Sequence, residues 1–468
     1  MKLALRKSVL LLGAAALVPA GAVAQSAPED LLPPEVANPS PAPAAPRMDA
    51  EYDAPTQGTV SQDFLTAFDA APAKDPLVQS WTVAQAEKLA GLIEGISAEG
   101  LRPADYDLAG LRALIAAGPG AALDEGASKR FVWLVEDMRD GRTPMDGRKQ
   151  WFVMDPDADR YTSGSLLKAA VTSGDPAAVL DTVRPLHPDY AVLRSALAKA
   201  APGSARYKQV QANMDRWRWL PRDLGGQYLI TNVPEYQLRL TVNDKIVRTY
   251  KTIVGKPGRT ATPQLAEVVE GVILNPTWTV PQSIVVGEGL GAKVLGNPGW
   301  AKAAGYTASK GANGFVTVVQ QPGPGNSLGK MKLDMPNRHA IFLHDTPSRN
   351  LFNSADRALS HGCIRTERAS ELAMTLAILQ AGLTADEGVE KLTSGKYTRV
   401  EFQKKMPVYI TYFTMATDIG GQLSSFKDIY GRDEAVLASF TAPRVANRSR
   451  VTDEQVIVIE DDLRDAAP

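Results

Sequence analysis

Three of the chain's four histidines, His339, His344 and His361, fall within 25 residues of its only cysteine, Cys363. The local text reads Leu343-His344-Asp345-Thr346, then Ser360-His361-Gly362-Cys363-Ile364-Arg365. These residue types suit thiol acyl transfer. The attacking species is the thiolate, and a cysteine with an ordinary pKa of about 8.5 needs an imidazole or a helix N-terminus to supply it. His344 closes an apolar run that reads as a strand, a rigid mount for a base. Gly362 lets the backbone bend closely round a carbonyl, where the N–H groups of Gly362 and Cys363 can meet a developing oxyanion. A helix start expected over Thr366–Glu371 would bring a positive dipole end close to the sulfur.

Other readings of the same residues stay open. A lone cysteine is often a small buried hydrophobe. A zinc site built from His339, His344, His361 and Cys363 has suitable donors, yet their spacing fits none of the usual paired-ligand patterns, and no metal or other cofactor is expected. His187, in Leu186-His187-Pro188, reads as a surface or turn residue. His339, beside Arg338, reads as structural or peripheral. One cysteine also excludes an intrachain disulfide framework. With 51 Lys and Arg against 52 Asp and Glu, the formal charge is −1, so no bulk attraction to nucleic acid or anionic lipid is expected.

The elements that must position these groups fall into two domains. From about Ser61 to Ala200 the periodicity is helical: Leu89, Leu92, Ile93 and Ile96 share one face, as do Phe131, Leu134, Val135 and Met138. Shorter helices are read over 166–171, 177–183 and 190–200. After Gln227 the period becomes two, with strands over 228–233, 237–242, 246–254, 268–274, 314–319, 340–343 and 407–414. A helix over Glu371–Ala381 interrupts them, with Leu372, Leu376 and Leu379 on one face and Gly382 at its end. The fold class is α+β, a helical scaffold domain (58–212) followed by a mainly-β domain (213–440). The glycine-rich stretch 281–329 reads as a lid insertion. Arg216-Trp217-Arg218-Trp219 at the join can stack on sugars or pack a domain junction, and packing is preferred.

The ends differ from the middle. Lys2, Arg6 and Lys7, the apolar run Val9–Val18 and Ala22-Val23-Ala24 form an export signal over 1–24, retained as a membrane anchor if uncleaved. Residues 25–57 hold eight prolines and read as an extended tether. Residues 441–468 read as a solvated acidic tail, with six acids against one arginine over Val451–Pro468. A periplasmic location is expected.

The pattern of His344 followed by Ser360-His361-Gly362-Cys363 resembles the L,D-transpeptidase family with its YkuD-like catalytic domain. Further stretches resemble the larger periplasmic, YcbB-like branch: Glu99-Gly100-Leu101-Arg102-Pro103, Asn213 to Pro221, Asn275-Pro276-Thr277-Trp278 and Pro322-Gly323-Pro324-Gly325-Asn326. That branch commonly carries a peptidoglycan-binding module where only Ala201–Gln211 stands here. Arg365 occupies a position that is Asn in many simpler members and Arg in the larger branch. The resemblance implies peptidoglycan stem peptides as donor and acceptor, envelope proteins as possible partners, and 3–3 crosslinks formed through an acyl-enzyme on Cys363. It implies His344 as the base, His361 and Gly362 as oxyanion or loop residues, and Ser360, Arg365 and Trp278 as substrate-binding residues. Arg365 can hold a carboxylate bidentately or brace the Cys loop through an ion pair. Asp345 can orient an imidazole or cap a turn. The same acyl-thiol passed to water would make an L,D-carboxypeptidase or a crosslink hydrolase, and a non-catalytic wall-binding or metal-binding protein is the alternative of another class.

Overall fold

The computed structural model describes residues 77–153, 160–312, 314–445, 450–452 and 454–455. The export signal, the tether, the first residues assigned to the scaffold and most of the acidic tail lie outside the described residues. Among those described, no helix is long and apolar enough to cross a membrane.

The scaffold consists of α1 (Val83–Gly95), α2 (Leu108–Ala117), α3 (Ala121–Asp140), α4 (Ser163–Ser173), α5 (Pro176–Asp181), α6 (Pro188–Lys199) and α7 (Ala205–Trp217). A reciprocal cap between Thr82 and Gln85 starts α1, and Gly141, at φ 83°, ends α3. The apolar face Leu89, Ile93 and Ile96 is buried in one cluster with Phe131, Leu134, Val135 and Met138, as the period-3.6 reading requires.

Helix α7 carries the Arg-Trp-Arg-Trp text into the interior. Trp217 lies between the rings of His187 and Phe413, with centroids 4.2 and 4.6 Å away, and Trp219 meets Trp151 edge-on. Arg216 pairs with Asp433 at 2.5 Å, and Arg218 bonds the Glu99 carbonyl and the Tyr190 hydroxyl. These residues pack the junction within the scaffold core, and the first strand of the β domain follows at Gln227. Asp215 is fully buried beneath them. Burial would raise its carboxyl pKa, but Arg218 and bonds from Arg142 and Thr143 override that and hold it low. His187, read as a surface residue, is held against Trp217 and caps α6 through Nδ1.

The β domain is built on β1 (Gln227–Asn232), β2 (Gln237–Val242), β3 (Lys245–Gly255) and β4 (Leu265–Leu274). A lid follows, then β8 (Met331–Asp334), β9 (Leu343–His344), β10 (Ala358–Ser360), β11 (Ile364–Thr366) and β12 (Thr398–Thr411). Pairing runs β3-β11-β9-β8-β4-β12-β1-β2, and β2 returns to β3, so the sheet closes on itself with β10 added beside the end of β3. Alternation sorts side chains between two cores. Leu229, Val408 and Ile410 face the barrel interior, while Tyr228, Ile230 and Tyr409 join the scaffold core. The two domains therefore share β1 and β12 as a wall.

Helix α11 (Ala369–Ala381) packs on the barrel core through Leu372, Ala373, Leu376 and Ala377. Leu379, expected on that face, is 52% exposed, because the buried rows run 369–373–377 and 372–376–380. The chain then forms α12 (Ala385–Thr393), the hairpin β13 (Met415–Thr417) with β14 (Leu423–Ser425), and α13 (Asp433–Thr441). Beyond α13 the chain does not leave the surface at once. Arg444 bonds Glu136 and Asp137 on α3, and Arg450 pairs with Asp140.

The lid is an ordered unit rather than an irregular loop. It contains β5 (Trp278–Thr279), α8 (Gln282–Gly287), α9 (Leu290–Gly296), α10 (Pro298–Ala303), β6 (Tyr306–Lys310) and β7 (Val316–Gln320). Its own core is Val280, Val285, Leu290, Val294, Ala301 and Val318. Both stalks meet at Asn326, 1% exposed, whose amide donates to the carbonyls of Pro276 and Gln321 and whose oxygen accepts from Leu328 N–H.

Candidate active site

Strand register assembles the site. β9 and β11 run parallel with Leu343 opposite Ile364 and His344 opposite Arg365. Leu343 and Ile364 are buried in the barrel core, so their neighbours Phe342, His344, Cys363 and Arg365 take the other face. Cys363 immediately precedes β11, and the Phe342 N–H lies against its sulfur. The sulfur is half-buried. Its S–H donates to the Ala340 carbonyl at 3.6 Å.

His344 is 5% exposed. Its Nδ1 lies 2.6 Å from the main-chain oxygen of Asp345. A carbonyl only accepts, so Nδ1 carries the proton and Nε2 keeps the lone pair. Burial, with Arg365 and Lys332 adding to it, pushes the ring's pKa down to about 3 against the opposing pull of that bond. Burial likewise raises the Cys363 thiol, opposed by the Phe342 N–H, Lys332 and Arg365. Both shifts favour the uncharged forms, a thiol at Cys363 and a neutral imidazole at His344. The expected helix-dipole assistance is not present. Strand β11 separates Cys363 from α11, which starts only at Ala369, and a dipole's influence falls off within the first turn.

The Cys loop is held from three sides. Ser360 Oγ donates to the Cys363 carbonyl at 2.6 Å and accepts from Gly362 N–H at 3.1 Å. Thr262 Oγ1 donates to the Gly362 carbonyl at 2.8 Å and accepts from Gly255 N–H. Tyr430 accepts from Thr262 N–H and donates to the Gly255 carbonyl. Gly362 has φ 119°, a conformation that a side chain makes costly. Ser360, expected to touch substrate, is buried and spans the loop instead, and the Gly362 N–H expected in an oxyanion hole is committed to it. Among the described residues, no hydrogen bond engages the N–H groups of His361 or Cys363.

The remaining expected residues are spread differently. Asp345 orients the imidazole through its carbonyl; its buried carboxylate accepts from Lys330 N–H at 2.8 Å and faces Arg349, tying the lid's return strand to the base. Arg365 is half-buried and makes no ion pair among the described residues. His361 is half-buried, its pKa lowered by burial and then by Lys256 and Arg365, while Glu288 of the lid opposes them. Trp278 packs partly into the lid core. His339 is buried against Phe152, ring centroids 4.4 Å apart, away from any donor set. Among the described residues, no three His, Cys, Asp or Glu side chains converge on a common point.

Residues 226–410 match the L,D-transpeptidase catalytic domain, YkuD, and residues 79–197 match the scaffold domain. The chain therefore carries an L,D-transpeptidase catalytic domain behind a scaffold domain. No peptidoglycan-binding module is matched. A putative L,D-transpeptidase of Haemophilus influenzae is 30% identical over 244 residues, 49% of this chain and 49% of that relative. The chain thus spans about half the length of the curated relative it matches. Among solved structures, an L,D-transpeptidase from Mycobacterium smegmatis is 12% identical over 40% of this chain and 58% of that one, with a TM-score of 0.21. L,D-transpeptidase 1 of Mycobacterium tuberculosis is 12% identical over 40% and 61%, with a TM-score of 0.17.

Sequence reasoning missed Lys332. It pairs with His344 across β8 and β9, and its ammonium lies 3.7 Å from the centre of the Phe342 ring, beside Cys363. The available signal was Met331-Lys332-Leu333, a charge between two apolar residues in a strand too short to register. Thr262 and Tyr430, which clamp the loop from afar, left no local signal.

Proposed function

We propose that this transpeptidase forms 3–3 peptidoglycan crosslinks, with Cys363 as nucleophile and His344 as base, in the periplasm. The observation that carries the reading is the pairing of His344 with Arg365, two residues beyond Cys363, with the ring fixed so that Nε2 is basic. The thiol turns from the Ala340 carbonyl and gives its proton to Nε2 as sulfur attacks the carbonyl of the third stem residue. A C–S bond forms, and the oxyanion meets the N–H groups of Cys363 and His361. Collapse breaks the C–N bond, and the imidazolium protonates the departing amine of the terminal D-alanine. The side-chain amine of a second stem then attacks the thioester, restoring the thiol and completing the crosslink.

A neutral resting pair suits this order of events. The proton moves as the C–S bond forms, so no buried charge is held beforehand. A lid that closes over the donor would exclude water and favour aminolysis over hydrolysis, and its return is tied to Asp345 beside the base. The test is to incubate the protein with a disaccharide-tetrapeptide and weigh the products. Crosslinked dimer lacking one D-alanine supports transfer. Tripeptide alone supports hydrolysis, and unchanged substrate contradicts the proposal.

A further inference from the structure

Two cations stand either side of His344. Lys332 is its partner on β8 and Arg365 its partner on β11, so the three side chains lie in a row across neighbouring strands on the face that carries Cys363. Lys332 leans along that face onto the Phe342 ring, toward the sulfur. Neither cation makes an ion pair or side-chain hydrogen bond among the described residues. The nearby acids are committed elsewhere: Asp334 to Arg399 at 2.6 Å, and Asp345 to Lys330 N–H and Arg349. Like charges held close together and partly out of water are unfavourable until an anion joins them. Both favour the thiolate over the thiol and disfavour the charged imidazole.

We infer that Lys332 and Arg365 form a seat for a carboxylate of the donor peptide, beside the bond that Cys363 attacks. This rests on the acyl-transfer reading of Cys363 and adds to it what holds the donor. A guanidinium grips a carboxylate bidentately, and an ammonium adds a point charge from the other side. The seat selects donors with a free carboxylate at the reacting end. By drawing the anion across His344, it also seats the scissile carbonyl next to Nε2.

The test uses the full chain carrying Cys363→Ala, so that donor is bound but not consumed. Stem tetrapeptide with free carboxylates and the same peptide with them amidated are titrated by calorimetry. The free form should bind at least about tenfold more tightly. Adding Lys332→Met or Arg365→Met should reduce that preference to within about threefold, whereas Lys332→Arg should keep most of it. A preference that survives both methionine variants, or none in the parent, overturns the seat. So does a Lys332→Met protein, with Cys363 intact, that changes only the iodoacetamide alkylation rate, since Lys332 would then act on sulfur alone. If the Cys363→Ala chain shows the predicted preference while the chain with Cys363 intact releases no D-alanine from the same peptide, the seat stands and the catalytic reading falls.

Discussion

His344 donates from Nδ1 to the main-chain carbonyl of Asp345 at 2.6 Å, and that single bond decides which ring nitrogen is the base. With its pKa pushed down to about 3 by burial, the ring stays neutral across the working range. Nitrogen-15 NMR should show His344 as the Nδ1–H tautomer, with no titration between pH 5 and 8. The folded-state pKa lies below the unfolded value of about 6.5, so acid protonates the unfolded chain first. Stability should therefore drain away as pH falls from the unfolded value toward the folded one, and His344→Asn should flatten that part of the curve. A slope unchanged by the substitution contradicts the assignment.

Cys363 should behave as a slow thiol in the free protein. Burial raises its pKa, and the thiolate fraction at neutral pH falls accordingly. Alkylation by iodoacetamide should climb with pH beyond the ordinary cysteine range without levelling off near neutrality. Lys332→Met should move the profile further up, because a cation that favours the thiolate is removed. A plateau below pH 7 would show a preformed thiolate and contradict the neutral pair.

Gly362→Ala tests the loop. A residue with a Cβ at φ 119° costs about 1–3 kcal/mol unless the backbone shifts. Any shift displaces the sulfur and the Cys363 N–H together. The variant should lose at least about a hundredfold in acylation, as misplacement of a reacting group by roughly an ångström does. Normal acylation in a folded variant would show that the loop geometry is not what positions the nucleophile.

Asn326→Ala tests the lid. Its loss strands buried carbonyls of Pro276 and Gln321 and the Leu328 N–H, at a cost of about 1–3 kcal/mol each way. Limited proteolysis within 276–329 should quicken while the barrel stays intact, and a larger share of the acyl-enzyme should pass to water. Equal protease sensitivity would show that the lid is held by other contacts.

The candidate pair, Cys363 and His344, was legible because its residue types are scarce: one cysteine and four histidines leave few arrangements. The scaffold helices were legible from period, and the long strands β3 and β4 from alternation. What escaped was set by distant pairing. β8 to β11 are two to four residues long, too short for alternation to declare itself, and they exist because the sheet closes. Lys332 became part of the site only through that closure. Asp345 was read for its carboxylate, while its carbonyl orients the ring, and main-chain roles leave no mark on residue type. Spacing to Leu372 and Leu376 points Leu379 at the buried face of α11, but the face that meets the barrel turns the other way, through Ala373, Ala377 and Gln380. The lid's short helices carry too few apolar positions to show a period, although together they close a core.

The central claim is that Cys363 forms a thioester with a stem peptide after His344 takes its proton. Intact-protein mass spectrometry after brief exposure to disaccharide-tetrapeptide measures this directly. An adduct of donor mass less D-alanine is expected, mapped to Cys363, absent in Cys363→Ala and strongly reduced in His344→Asn. Crosslinked product formed with no adduct on Cys363, or an adduct undiminished in His344→Asn, would contradict it.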